Sequence, residues 1–403
     1  MPEARICILT QSHLCRNPRV LKEAIALDNQ GYSVYVLNAI FSKTLLQEDQ
    51  DLLRNHPRIR VEHVSELSEK SISAWIDRAF NRIGRTLVKR YGFENPIALG
   101  YGPFNYWSKC RRINASLYIC HQELATYIGT RLLKAGYKVA FDFEDWYSAD
   151  LLPEARSKRP IRLLQKIEAL ALKQGTYCTT TSKAMSTQLA AAYDCPTPEV
   201  IYNTFPSQPS LLNREHSFSD PLKLFWFSQT IGPGRGLENF ITLLKSINAG
   251  VELHLLGNID AAYSNLLTGL LGEDHRLYFH ELVEEKHLAG KIAEFDIGLA
   301  LEQTDPPNRN YTITNKIFQY LQSGLPVIAT KTAGQCEMFE KFKPGKLLSQ
   351  QANADDVETL NLWLKDAAAL HQARSIAKEA AAYYSWEHES QKLLDLVNNA
   401  IGP

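Results

Sequence analysis

The sequence predicts an α/β protein built from two doubly wound, Rossmann-like parallel-sheet domains. Three observations carry that expectation. Apolar runs of strand length alternate with helical patterns almost from end to end, the mark of βαβ units around a buried sheet. Glycines such as Gly31 and Gly136 stop a helical pattern just before the next apolar run. At a typical domain size of about 150 residues, the 403 residues make two to three domains, and a Pro-, Ser- and Asn-rich stretch at 204–223 is the natural linker.

The elements follow in order. In the first series, strands are expected at 5–10, 32–38, 116–120, 138–143, 176–182 and 199–203, with helices at 19–30, 123–135, 161–172 and 183–192 between them. In the second, strands are expected at 223–228, 251–257, 276–282, 296–302 and 326–330. Helices are expected at 237–247, 261–271, 284–293 and 315–323, and two later ones lead to the carboxyl terminus. The expected domains are 1–205 and 206–382, facing each other across a cleft, with a last helix in 383–403 crossing back to the first. Ligands of such sheets bind beyond the carboxyl ends of the strands.

Composition narrows the function. With 45% hydrophobic and 22% charged residues the chain is an ordinary folded protein, not a disordered or fibrous one. Lys plus Arg (44) balance Asp plus Glu (44), so no global positive field exists to gather nucleic acid. Seven cysteines without a CxxC pair point to reduced thiols rather than a disulfide framework or structural zinc. The apolar run near the start is too short for a secretion signal, and no run approaches the roughly 18 residues that span a bilayer. The expected location is the cytoplasm, at most peripheral at the inner face of the cell membrane.

Two segments of the second domain suit an anion. Residues 227–240 join a strand to a helix through Gly232, Gly234 and Gly236, with Arg235 between the last two. Backbone N–H groups and a helix start can face a phosphate there, although a plain tight turn has the same outline. A dinucleotide fingerprint fits poorly, because Leu237 stands where the third glycine belongs. Later, Thr314, Asn315 and Lys316 open a helix with Gln319 one turn on, which suits an anion or is simply a capped helix with a surface lysine. Upstream, Glu302 ends a strand before a long loop carrying Asn308 and Arg309.

Segment 315–330 resembles the sugar-nucleotide signature of GT-B fold glycosyltransferases, in particular glycosyltransferase family 4 of the bacterial surface-polysaccharide type. Segments 19–37, 141–150, 200–206, 234–240, 253–258 and 385–394 support it in the expected order. The resemblance implies a nucleoside diphosphate sugar held by the second domain, with Gly234, Arg235 and Lys316 at the diphosphate and the backbone of Leu282 and Val283 at the base. Relatives carry two glutamates eight positions apart. Gln319 fills the second place, and Glu302, 17 positions earlier, replaces the first only if the loop between them folds back.

In the first domain, two successive strands end in 118–123 and 141–145. There His121, Glu144 and Asp145 are candidate catalytic residues, His121 as a sugar contact or proton acceptor and the carboxylate pair with one raised pKa. Local capping by His121 and a helix cap at Asp145 are the plainer alternatives. Residues 74–93 form a helical pattern with an apolar stripe and five cations, suited to anionic lipid or to packing on its own domain. Together these readings lead to the expectation of a metal-independent glycosyltransferase without a cofactor, and the resemblance to family 4 implies that it retains the anomeric configuration. It would move a hexose-type sugar from a nucleotide sugar to a hydroxyl of a glycan or lipid-linked acceptor. The alternatives are a GT-B sugar-nucleotide epimerase and a non-catalytic sugar-nucleotide-binding protein.

Overall fold

Two parallel sheets organise the chain in the computed structural model, which describes residues 4–271 and 275–402. The first contains β1 (Arg5–Leu9), β2 (Ser33–Ile40), β3 (Arg60–Glu66), β4 (Leu117–His121), β5 (Val139–Phe143), β6 (Cys178–Thr180) and β7 (Glu199–Val200). Their order is β3-β2-β1-β4-β5-β6-β7. The second contains β8 (Leu222–Thr230), β9 (Val251–Asn258), β10 (Arg276–His280), β11 (Ile297–Ala300), β12 (Val327–Thr330) and β13 (Gly345–Leu348), in the order β10-β9-β8-β11-β12-β13. The described pairings are parallel in both sheets; Ile6 faces Leu117 across β1 and β4, and Leu224 faces Ile297 across β8 and β11. In each sheet the order reverses once, between β1 and β4 and between β8 and β11. Such switch points open crevices at the carboxyl ends of the strands.

The chain divides into two units. The first runs to Ile201 and takes back the residues from Ser390 onward; the second is Tyr202–Glu389. The returning segment is tied within the first unit: Lys138 Nζ donates to the Ala400 carbonyl at 2.8 Å, and Tyr32 bonds Asn398 at 2.5 Å.

Most expected strands and helices form near the expected positions, because central strands covered on both faces appear in sequence as continuous apolar runs. The edge strands β3 and β13 were not expected. Their faces alternate or stay half-exposed, so neither makes a clear apolar run. Helices Lys43–Leu52 and Pro103–Ile113 also lie outside the expected set, and four helices, not two, follow β12 among the described residues: Ala333–Lys341, Ala354–Leu364, Ala367–Tyr383 and Trp386–Ile401.

Packing fixes the helix that the signature segment opens. Asn315–Gln322 buries Ile317, Phe318, Tyr320 and Leu321, with the Phe318 ring beside those of Tyr202 and Tyr384. The Tyr320 hydroxyl donates to the Leu299 carbonyl at 3.0 Å and approaches that of Phe225 at 3.2 Å. Gly298 makes the room, since a Cβ there would lie 2.2 Å from the Tyr320 ring. Gly298→Ala is therefore expected to destabilise the second unit by about 2 to 3 kcal/mol through overpacking. Chemical unfolding followed by Trp fluorescence checks this, and an unchanged transition would show that the ring yields freely.

Candidate functional site

The switch point of the second sheet gathers most of the expected donor-binding residues. After β8 the chain turns through Gly234 (φ +75°) and Gly236 (φ +77°) into helix Leu237–Leu244. Left-handed φ alone favours glycine at 236, and a Cβ there would also sit 3.0 Å from the Leu301 carbonyl oxygen. The glycine loop thus lies against the segment that follows β11, where Glu302 stands. Arg309 Nη1 donates to the Gly234 carbonyl at 2.8 Å and holds the loop from the other side. Its neighbour Asn308 is buried.

Glu302 meets the signature helix. Lys316 Nζ is 3.3 Å from Glu302 Oε1, lies 5.4 Å from the Trp226 ring centre and comes within 3.5 Å of Thr314 Oγ1. The loop between Glu302 and Lys316 does fold back. Thr314 is the N-cap of this helix, but its side chain does not cap it, and Asn315 is the first helical residue. Gln319 reaches Glu285 Oε1 at 3.4 Å, beside the turn 281–284. In that turn Leu282 is exposed, and the backbone N–H and C=O groups of Leu282 and Val283 make no hydrogen bond among the described residues. Arg235 is half-buried and has no ion pair among the described residues. Three cations (Arg235, Arg309 and Lys316), two helix starts and two carboxylates (Glu302 and Glu285) thus lie about the end of the sheet. The field there favours an anion.

In the first unit, the residues after β4 and β5 form a buried ion network. Asp142 and Glu144 lie two positions apart, so the pleat turns both to one face. His121 Nδ1 is 3.0 Å from Glu144 Oε1 and 3.1 Å from Asp142 Oδ2, and its Nε2 is 2.9 Å from Glu23 Oε2. Arg19 grips Asp142 with two bonds, Nε to Oδ2 at 2.5 Å and Nη2 to Oδ1 at 2.7 Å, and donates from Nη1 to the Ile201 carbonyl at 2.8 Å. Thr179 donates to Asp142 Oδ1 at 2.6 Å. Arg19 and His121 are completely buried, and Glu23 and Asp142 nearly so.

Electrostatics fix the protonation of this network. Burial pulls the His121 pKa down, but the charges of Glu23 and Asp142 outweigh it and raise the imidazole well above its ordinary value. Burial pushes Asp142 up, but Arg19 and His121 hold its carboxyl well below the usual carboxylate range. His121 is thus an imidazolium with both nitrogens bonded and no surface, an arrangement that leaves no lone pair to accept a proton. The expectation that His121 acts as a base does not match its placement.

Glu144 is placed differently. Its Oε1 accepts from Asn17 Nδ2 at 2.9 Å and from His121, its Oε2 has no hydrogen bond among the described residues, and 19% of its side chain is exposed. One oxygen is fixed and the other is available. Asp145 caps no helix; the next short turn, Tyr147–Ala149, takes Trp146 as its N-cap.

Sequence reasoning passed over Asn17, the N-cap of helix Pro18–Asn29, Arg19 and Glu23 within that helix, and two glutamines at the first switch point. Gln122 Oε1 accepts from the Gln11 backbone at 2.7 Å and from Thr10 Oγ1 at 3.1 Å. Gln122 has φ +70°, a conformation that side chains other than glycine rarely adopt and that tends to mark functional turns. The signal was available, because Gln11 and Gln122 follow the two strands that flank the reversal.

Among the described residues two side-chain groups have metal-ligand spacing: Glu23, His121 and Asp142, and His13, Cys15 and Asp49. Neither suits an ion. The first already encloses the Arg19 guanidinium and an imidazolium. In the second, His13 Nε2 accepts from the Phe41 backbone at 3.0 Å, which leaves Nδ1 to donate to Asp49 at 2.8 Å.

No family model matches the chain, and no curated protein matches it in sequence. Solved structures do match along its full length. Anabaena HepE in complex with UDP and glucose is 18% identical, with a TM-score of 0.66 over 98% of this chain and 100% of that one. The sucrose-phosphate synthase of Thermosynechococcus elongatus is 15% identical, with a TM-score of 0.72 over 98% and 99%. A Listeria monocytogenes protein provisionally assigned as a UDP-N-acetylglucosamine 2-epimerase is 11% identical, with a TM-score of 0.57 over 99% and 96%. Two doubly wound parallel sheets with the reversed strand order, matched from end to end by these structures, give this chain the GT-B fold.

Proposed function

We propose that the protein is a glycosyltransferase that moves a hexose-type sugar from a uridine diphosphate sugar to a hydroxyl of a glycan or lipid-linked acceptor. The observation that carries this reading is the convergence of Arg235, Lys316, Glu302 and the glycine loop at the second switch point. The likeness to HepE, solved with UDP-glucose, supports it. In this reading Arg235, Lys316 and the amino ends of helices Leu237–Leu244 and Asn315–Gln322 take up the charge that accumulates on the leaving diphosphate. That stabilisation needs no metal or other cofactor. Leu282 and Val283 offer backbone groups to the base, and Glu302 and Gln319 offer polar groups to the sugar.

Glu144, with its available Oε2, serves the acceptor hydroxyl or the reacting sugar. The buried network behind it acts as its support, with His121 as a positioning residue. We take the outcome at the anomeric carbon to be retention, as in family 4, and place the enzyme in the cytoplasm at the inner membrane face. No helix among the described residues is long and apolar enough to cross a membrane.

A thermal-shift series over nucleotide sugars tests the reading, since a ligand at 100 times its Kd adds about 2.7 kcal/mol of stability. UDP-hexoses are expected to raise Tm most. Glu144→Gln is expected to keep that shift while lowering turnover about 100-fold or more. Equal losses in affinity and rate would move Glu144 into the nucleotide site. The Listeria likeness favours a second reading as an epimerase. Conversion of the nucleotide sugar with no acceptor present would select it, and binding without turnover would indicate a sugar-nucleotide-binding protein.

A further inference from the structure

Helix Ile72–Tyr91 presents three faces. Ala74, Asn81, Gly84 and Val88 are buried against the first unit. At Gly84 the fit is close: a Cβ would come within 2.9 Å of the Ala98 backbone nitrogen, so the helix is locked to segment Pro96–Ala98. A second face carries Ile72, Trp75, Ile76, Phe80 and Ile83, all exposed, Ile72 at 81% and Trp75 at 70%. An apolar stripe of this size does not normally face water. The third face carries Arg78, Arg82, Arg85 and Lys89.

That basic face lines an open hollow of about 880 Å³, completed by Arg90, Tyr101 and Lys158. Asn81, Arg85 and Tyr101 also line a second hollow of about 150 Å³, which continues inward to Gln11 and Arg159. Gln11 follows β1 at the first switch point, so the two hollows lead from the basic face to the strand ends. No Asp or Glu lines either hollow among the described residues. Arg159 pairs with Glu123, yet its Nε is buried without a hydrogen-bond partner. Burial first, and then the nearby charge of Arg85, press its pKa down. Arg85 has no ion pair among the described residues, and with the unbonded Arg159 Nε it leaves charge and a donor for an anion in a space that no acid lines.

We propose that the joined hollows bind the phosphate or diphosphate group of a lipid-linked molecule, while the apolar stripe of helix Ile72–Tyr91 rests in the bilayer that carries it. The stripe and the cations share one rigid helix, which suits a ligand with a lipid tail and an anionic head. A soluble phosphorylated ligand would leave the stripe unexplained. That the lipid is an acceptor rests on the transfer reading above; its binding does not.

Cosedimentation with phosphatidylcholine vesicles carrying a few mol% of undecaprenyl diphosphate tests the proposal, with phosphatidylglycerol vesicles of matched surface charge as the comparison. Stronger binding to the diphosphate vesicles, relieved by millimolar inorganic pyrophosphate, is expected. Arg85→Gln and the pair Arg82→Gln/Lys89→Gln should each reduce that preference, about fivefold per charge removed. Trp75→Ser/Phe80→Ser should weaken binding to every vesicle. Equal binding at matched charge, a preference that survives Arg85→Gln, or pyrophosphate binding without vesicle binding would each overturn the proposal. UDP-sugar affinity measured on the same proteins separates the two readings. Its retention without the vesicle preference overturns only the lipid proposal, whereas the preference without UDP-sugar binding supports this proposal and removes the transfer reading.

Discussion

Arg235→Ala and Lys316→Ala are each expected to lower kcat/KM with a UDP-sugar by about 30-fold to 1,000-fold, equivalent to 2 to 4 kcal/mol at the transition state. The two losses have different components. Arg235 is half-buried and has no ion pair among the described residues, so its removal takes away a charge that the fold itself does not use. Lys316 is 3.3 Å from Glu302, and both side chains are largely buried, so its removal also leaves a carboxylate beside the site without its cation. Lys316→Ala should therefore weaken UDP binding more than Arg235→Ala does, and Lys316→Ala/Glu302→Gln should recover part of the difference. Single-turnover kinetics and calorimetry on folded variants measure both effects. Parental rates in the two single variants would remove the second switch point as the donor site.

The other large effect concerns stability. Asp142→Ala leaves the Arg19 guanidinium fully buried without its bidentate partner, and breaking a buried pair in this way typically costs about 3 to 5 kcal/mol. The pH dependence follows from the same groups. The His121 pKa is raised in the folded state, so its contribution is complete below about pH 6.5 and is lost as pH rises toward the folded value. The Asp142 pKa is depressed, so its contribution is complete above about pH 4 and is lost as pH falls. The first unit should be most stable between those limits. Urea unfolding from pH 4 to 9 is expected to show stability declining above pH 6.5 in the parent and a flatter profile in His121→Gln. A parent profile that stays flat through pH 9 would mean that His121 is neutral in the fold.

The alternation of strands and helices, the glycine turn after β8 and the signature helix were all readable from the sequence. Each of these is written in local periodicity or in turn chemistry, and burial in a two-layered sheet enforces the same pattern. The positions of Glu144, Arg235 and Lys316 beside strand ends or at a helix start were legible for the same reason. Tertiary structure alone decided what their neighbours do. His121 follows an apolar strand in sequence and looks available, but Glu23, 98 positions away, and Arg19, 123 positions from Asp142, bury it in an ion network. Arg19 and Glu23 look like solvent-facing charges of an amphipathic helix, because periodicity reports which residues share a face and not whether that face meets carboxylates from another strand. Glu302 joined Lys316 only because the intervening loop folds back, and β3 and β13 were silent because their residues are largely half-exposed and make no continuous apolar run. Local pattern sets the elements; long-range pairing of charges sets which of the polar residues remain free to react.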